Sequence, residues 1–174
     1  MKQKPLRFII LTALFAALSA ALSQLAIPLG PVPIVFTQVS VFLAAGLLGW
    51  KWGALSQLLF VAMGTIGLPV FSGMRGGWAH LVGPTGGFVL GYILAALIAG
   101  LLLDHFGRSF KVVLPVLILG ALLIYLPGLP WMAYVLRMPL RGAFMTGMLP
   151  YLPGDLFKIA LCAVLIPKIR AAVE

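Results

Sequence analysis

Long apolar runs, separated by short stretches rich in proline, glycine or basic residues, dominate the pattern of this chain. A helix needs about 20 predominantly apolar residues to cross the hydrocarbon region of a bilayer. Runs approaching that length cover residues 8–27, 34–50, 52–68, 85–103, 112–126 and 151–166. The pattern therefore predicts an all-α, polytopic membrane protein with six transmembrane helices, in a single integral membrane domain that covers residues 1–174.

The segments between the runs predict where the helices stop. Pro28–Pro33 is proline-rich and cannot be regular helix. Pro69–Pro84 is predicted to be a glycine-rich loop, and Pro127–Pro150 a longer loop. Asp104–Lys111 is predicted to be a polar turn, and Pro167 to end the last helix. With six membrane-crossing helices, both termini lie on one side of the membrane. The segments Pro28–Pro33 and Pro69–Pro84 then both lie on the opposite side.

Charge patterning gives the orientation. Cytoplasmic loops of membrane proteins carry an excess of Lys and Arg. With cytoplasmic termini, 8 basic residues lie inside, 3 lie outside and Lys158 lies within a helix. The inside set is Lys2, Lys4, Arg7, Lys51, Arg108, Lys111, Lys168 and Arg170, and the outside set is Arg75, Arg137 and Arg141. We therefore expect a multi-pass protein of the cytoplasmic membrane with both termini in the cytoplasm.

Composition narrows the class further. Hydrophobic residues make up 63% of the chain and charged residues 9%, whereas soluble domains carry about 25% charged residues. The net charge of +9 does not indicate nucleic-acid binding, because the basic residues stand at the ends of apolar runs. The single cysteine, Cys162, lies in an apolar run and is expected to be a small buried side chain.

Asp155 and Lys158 are the two charged residues that lie deep inside an apolar run. Ionised side chains are costly in the hydrocarbon region, so they usually face the protein interior and mark a functional site. Their i, i+3 spacing places them on one face of a helix. Counted along the helix from Lys168, Lys158 falls near the midplane of the membrane and Asp155 falls in its outer half. The pair is predicted to line an outward-facing pocket, the alternative being a self-neutralising pair that only fixes helix packing.

The remaining polar residues suit binding better than catalysis. The sequence has no cluster with metal-ligand spacing, no phosphate-binding glycine motif and no evident nucleophile–base pair, so we expect no enzyme, no cofactor and no metal. Gln38 can offer an amide to a ligand or to a neighbouring helix. Further ligand-binding candidates are Phe71, Gly73, Arg75, Trp78, His80, Thr85, Phe88 and Tyr92. Together these residues predict an outward-facing binder of a small amphipathic solute.

Small residues recur at four-residue spacing on two of the predicted helices, and such spacing lets membrane helices approach closely. The first helix carries Ala13, Ala17 and Ala21, with Ala16 and Ala20 beside them. The fourth carries Gly83, Gly87, Gly91, Ala95 and Ala99. Either stripe can serve packing within the bundle or contact with another subunit.

Four motifs follow one another over nearly the whole chain: Ile27–Pro33 with Thr37 and Gln38, Gly64–Phe71 with Gly76 and Gly77, Gly83–Phe88, and Pro153–Lys158. In this order they resemble the BioY family. The resemblance implies a bundle like that of an S component, the substrate-binding membrane subunit of an energy-coupling factor (ECF) transporter, with biotin as its ligand. It also implies a transmembrane coupling subunit and two ATPases as partners, which would hydrolyse the ATP.

The same resemblance assigns roles to residues. Asp155 and Lys158 match the family's ligand-contacting pair, and Ala13, Ala17 and Ala21, or Ala16 and Ala20, match its Ala-x-x-x-Ala contact with the coupling subunit. Three alternatives remain open: an S component for another vitamin, a solitary biotin facilitator, and a membrane scaffold without a ligand.

Overall fold

The computed structural model describes residues 3–28 and 31–173. Lys2, and Leu29 and Gly30 of the first loop, lie outside this part of the chain, as does the side chain of Lys4. The helices are α1 (Gln3–Gln24), α2 (Thr37–Thr65), α3 (Trp78–Val82), α4 (Gly86–Phe106), α5 (Phe110–Val135), α6 (Leu140–Gly147) and α7 (Leu152–Val173). A short 3₁₀ turn, Leu149–Tyr151, precedes α7, and strands β1 (Ala26–Ile27) and β2 (Ile34–Val35) form an antiparallel pair.

The predicted all-α membrane fold is confirmed. In the described part of the chain, 5 helical stretches are long and apolar enough to cross a membrane, and one of them is α2. Helix α2 is a hairpin, because Gly49 interrupts it with φ 80° and ψ −178°. Ser19 Oγ contacts both Ser40 Oγ, at 2.9 Å, and Gln57 Oε1, at 3.2 Å. In a continuous helix Ser40 and Gln57 would lie about 25 Å apart. The two arms, residues 37–48 and 50–65, therefore run side by side as the predicted second and third helices.

A polar clasp fixes the hairpin turn to the end of α4. Asp104 Oδ2 accepts the N–H of Trp50 at 3.1 Å, and its other oxygen is ion-paired with Arg108. Arg108 Nε also donates to the carbonyl of Gly46 at 2.6 Å. The N–H of Trp50 and the carbonyl of Gly46 are groups that a helix break leaves unpaired. The predicted polar turn at Asp104–Lys111 thus holds the turn of the α2 hairpin.

Several helix ends differ from the prediction, and proline is involved in the two largest differences. Helix α5 continues through Pro127 and Pro130 to Val135, and α7 continues through Pro167 to Val173. A proline inside a helix removes a hydrogen bond and crowds the preceding turn. In α5 close packing against α4 outweighs this cost: a Cβ at Gly128 would lie 2.4 Å from the Phe88 ring. The predicted loop over residues 127–150 is therefore mostly helix.

A further difference lies where α1 meets the loop that follows it. Helix α1 ends at Gln24, and residues 26–27, predicted to be helical, pair as β1 with Ile34 and Val35 of β2. Residues 34–35, also predicted to be helical, are extended for the same reason. The predicted loop at Pro69–Pro84 is confirmed apart from the single short helix α3. These segments and α6 lie at one end of the bundle, opposite the Asp104 clasp.

The small-residue stripes have different environments. On α4, a Cβ at Gly87 would lie 2.5 Å from Trp131, and one at Gly91 would lie 2.8 Å from Ile124, so this stripe packs within the bundle. On α1, Ala16 is fully buried and Ala20 packs against the core. These two alanines therefore face the bundle in this conformation, and the partner contact of α1 stays a prediction. The alanines of α1 on the exposed face are Ala13, Ala17 and Ala21.

We predict that Gly49→Ala lowers the midpoint of thermal unfolding in detergent. The conformation at Gly49 is essentially restricted to glycine and costs another residue about 1–3 kcal/mol. A Cβ there would also lie 2.6 Å from the Asp104 carboxylate. Gly142→Ala is the matched control, because its Cβ would meet nothing closer than 3.7 Å. Equal midpoints for the two variants would contradict the proposed role of the turn.

Candidate functional site

Most of the sequence-predicted site residues converge on a cavity at the end of the bundle that carries the proline-rich first loop and the glycine-rich loop over residues 69–84. This inner cavity has a volume of about 80 Å³. Its lining includes eight of the predicted residues: Gln38, Phe71, His80, Thr85, Phe88, Tyr92, Asp155 and Lys158. The predicted fourth and last helices, the α2 hairpin and the glycine-rich loop thus contribute to one site.

Lys158 lies at the bottom of this cavity with its ammonium group fully engaged. Its Nζ donates to Asp155 Oδ1 at 2.8 Å, to Gln38 Oε1 at 3.1 Å and to the backbone carbonyl of Val35 at 3.1 Å. An ammonium group has three protons, and these contacts use all of them. Lys158 is only 4% exposed, so each of these acceptors replaces a water molecule.

Asp155 is satisfied from two sides and still has capacity to accept. Its Oδ1 faces Lys158, and its Oδ2 accepts the hydroxyl of Tyr125 at 2.5 Å. The side chain is 6% exposed. An ionised carboxylate offers about four acceptor positions, so two donors do not saturate it. We call Asp155, Lys158, Gln38 and Tyr125 the polar floor of the inner cavity.

The orientation of the Gln38 amide follows from Lys158. An ammonium group can only donate, so the amide oxygen of Gln38 must face it. The amide nitrogen makes no hydrogen bond to any described residue, although Gln38 is 5% exposed and lines the cavity. The floor therefore combines a carboxylate acceptor and an amide donor.

Aromatic side chains form the walls. Phe71, Phe88 and Tyr92 are all buried, and the Phe88 ring meets Tyr125 edge to face with 6.0 Å between ring centroids. His80 stacks on Phe71 at 4.6 Å. Apolar walls above a small set of polar groups are typical of small-molecule sites.

His80 and Thr85 lie where the inner cavity meets a second one. His80 Nε2 is 3.2 Å from Thr85 Oγ1. Partial burial and, to a smaller extent, the positive charge of Arg75 lower the pKa of His80 below its usual value. The ring is therefore neutral at pH 7, and it can accept or donate one hydrogen bond at this junction.

The second, outer cavity has a volume of about 610 Å³ and shares Pro33, Ser72, His80 and Thr85 with the inner one. Two predicted site residues, Gly73 and Arg75, line this outer cavity and not the inner one. Trp78 lines neither cavity in this conformation and is 70% exposed, and its predicted place in the pocket wall stays a prediction. It lies at the loop end of the bundle, where tryptophan commonly meets the membrane interface.

Sequence reasoning missed two tyrosines. Tyr125 completes the floor, and Tyr151, whose hydroxyl donates to the carbonyl of Val32, lines the cavity beside it. A signal was present, because a tyrosine in an apolar span needs a partner for its hydroxyl. What the sequence did not contain was the identity of that partner.

Comparisons with known proteins agree on a single family. The BioY family profile matches residues 1–174. The probable biotin transporter BioY of Pyrococcus horikoshii is 38% identical over 160 residues, which cover 92% of this chain and 94% of that protein. The biotin transporter BioY of Thermotoga maritima is 36% identical over 165 residues, covering 95% of this chain and 96% of that protein.

One solved structure has a closely similar fold. It is the crystal structure of the S component for biotin from an ECF-type ABC transporter, with a TM-score of 0.92 and 28% sequence identity. The match covers 98% of this chain and 94% of that chain.

The floor predicts an unequal response to substitution. Lys158→Met leaves the buried Asp155 carboxylate without its cation, and breaking a buried ion pair from one side costs about 3–5 kcal/mol. The double variant Asp155→Asn/Lys158→Met removes both charges and is expected to unfold at a higher temperature than Lys158→Met alone. Thermal unfolding in detergent measures this. A double variant less stable than the single one would mean that the two side chains are not coupled.

Proposed function

The chain belongs to the BioY family, and from this premise we propose that it is the biotin-binding S component of an ECF-type vitamin uptake transporter. The observation that carries the proposal is the polar floor beneath aromatic walls. Biotin joins a urea group on an apolar bicycle to a carboxylate at the end of an alkyl chain. The urea group needs a hydrogen-bond acceptor and a donor, the bicycle needs an apolar wall, and the carboxylate needs a cation.

The floor is suited to the urea end. The free acceptor positions of Asp155 can take urea N–H groups, and the Gln38 amide nitrogen can donate to the urea oxygen. A hydrogen bond to an ionised carboxylate is stronger than one between neutral groups. Because Lys158 already makes three hydrogen bonds, its role is to neutralise Asp155 and to orient Gln38.

The walls and the outer cavity are suited to the rest of the ligand. Phe71, Phe88 and Tyr92 would cover the bicycle. Since the inner cavity is small, the alkyl chain would extend past His80 into the outer cavity. Among the described residues that line that cavity, Arg75 is the one cation, and it would pair with the carboxylate there. This direction puts the urea deepest.

We propose the orientation in the membrane from the basic residues. Arg75 lies at the cavity end of the bundle, while Arg108 lies in the clasp at the opposite end. The excess of basic residues at the clasp end supports a cytoplasmic location for it, and hence cytoplasmic termini. The cavities then open outward, as capture of an external vitamin requires.

The exposed alanines of α1 supply the proposed contact with a coupling subunit. Ala13, Ala17 and Ala21 form one exposed face on a helix of which only 28% is buried. A small-residue face lets another helix approach closely. We propose that the coupling subunit docks there and that two partner ATPases supply the energy.

Titration of the purified protein with biotin tests the ligand. We predict binding that Asp155→Asn weakens by about 10- to 100-fold, the equivalent of one hydrogen bond to a charged group. Asp104→Asn is the matched control, because that carboxylate lies in the clasp away from the cavity. Failure of the unmodified protein to bind micromolar biotin would refute the function, and tighter binding of another vitamin in a competition panel would reassign the ligand.

The partner face has its own test. Ala17→Trp should abolish co-purification with the coupling subunit while biotin binding stays unchanged, because an indole there blocks close helix approach. Leu122→Trp is the control, since Leu122 is 49% exposed on α5, a different helix. An intact complex with Ala17→Trp would show that the coupling subunit docks elsewhere.

A further inference from the structure

The last turn of α1 carries a glutamine that reaches the loop forming one wall of the inner cavity. Gln24 Nε2 donates to the carbonyl of Phe71 at 3.1 Å and to Ser23 Oγ of its own helix at 2.9 Å, with longer contacts to the carbonyls of Ala20 and Pro69. Gln24 Oε1 accepts the N–H of Met74 at 2.9 Å. Its neighbour Ser23 donates to the carbonyl of Val70. Gln24 lines neither cavity. Both ends of its amide are therefore used to hold the loop over residues 70–74.

This loop has a conformation that needs holding. Phe71 and Arg75 exchange backbone hydrogen bonds of 2.9 Å and 3.2 Å across a tight turn. Within the turn, Gly73 has φ 74° and Met74 has φ 57°. A non-glycine residue with positive φ is strained and persists only when its surroundings fix it. The N–H of that strained residue is the donor to Gln24.

The turn places one aromatic side chain in the cavity wall. Phe71 is 1% exposed, its ring lies edge-on to Phe60 at 5.5 Å and stacks on His80 at 4.6 Å. A Cβ at Gly64 would lie 2.1 Å from the Phe71 ring, so the ring packs directly on the second arm of the hairpin. The side chain of Phe71 points inward while its carbonyl faces Gln24.

We propose that Gln24 is a positioning residue for ligand binding, which acts through Phe71 and keeps the cavity wall closed on the bound molecule. This rests on the proposed function, because biotin is the ligand whose residence the wall controls. Phe71 must move away from the cavity before the ligand leaves, and the contacts between Gln24 and the loop oppose that movement. Loss of the amide contacts therefore raises the rate of dissociation more than it lowers the rate of association.

The test is biotin exchange from the full-length protein in detergent, with labelled biotin chased by unlabelled biotin. Gln24→Leu keeps the size of the side chain and removes its contacts with Phe71 and Met74. We expect dissociation to become about tenfold faster, the equivalent of one or two hydrogen bonds. Thr12→Val is the control: it lies on the same helix and loses a hydrogen bond, but that bond goes only to Phe8 of α1. The melting temperature of the ligand-free protein is measured alongside, since a purely structural role would lower it without a change in dissociation.

Two further variants keep the outcome decisive. Gln24→Glu retains an acceptor for the Met74 N–H and loses the donor to Phe71, so its dissociation rate should fall between those of the wild type and Gln24→Leu. In a Phe71→Leu background, Gln24→Leu should add little, because residues that act through one another are not additive. Dissociation from Gln24→Leu as slow as from Thr12→Val, or full additivity with Phe71→Leu, would overturn the proposal. Absence of biotin binding by the unmodified protein would instead refute the proposed function.

Discussion

The interaction on which the site depends is the buried ion pair between Asp155 and Lys158. Charges removed from water are costly unless every donor and acceptor finds a partner. Helix α7 alone supplies only the pair, 2.8 Å apart. The remaining partners come from Val35 of β2, Gln38 of the hairpin and Tyr125 of α5. Satisfying one ion pair therefore brings four separate elements together, and the cavity lies where they meet.

The extended segment Ile34–Val35 supplies one of the partners that the buried ion pair needs. Helical carbonyls are occupied by their own helix, so a lysine buried among helices has few backbone acceptors. The carbonyl of Val35 is available because Ile34 and Val35 form a strand. The depth of this segment follows from Tyr125, because Tyr125 and Lys158 both contact Asp155 and Lys158 contacts Val35. Tyr125 lies about 15 Å along the helix axis from Val135, the last residue of α5. Irregular backbone at such depth is tolerated where it lines a cavity, which is its position here.

Helix α1 connects features that are far apart in the sequence. Its middle is pinned to both arms of the hairpin by Ser19, and its last turn holds the loop that carries Phe71. Its outer face presents Ala13, Ala17 and Ala21. The helix offered as the docking surface for a partner is thus hydrogen-bonded to the wall of the cavity. A shift of α1 along its axis cannot leave that wall unchanged.

The sequence by itself determined the membrane class, the six helices and the floor pair, because run length and the cost of a charge in hydrocarbon are local properties of a few residues. It placed Gln38, Phe71, His80, Thr85, Phe88 and Tyr92 as candidates, and they meet in one cavity. It failed at Pro127 and Pro130, where packing of α5 against α4 outweighs a local preference for a helix end, and at Pro167, through which α7 continues. The hydrogen-bond partners of Tyr125 and Gln24 were decided by tertiary structure alone, since a hydrogen bond between residues 30 or 50 positions apart leaves no trace in local spacing. Trp78 is a candidate that the sequence offered and that lines neither cavity in this structure. A tryptophan in a loop can line a pocket or lie exposed at the membrane interface, and only the packing of the bundle distinguishes the two.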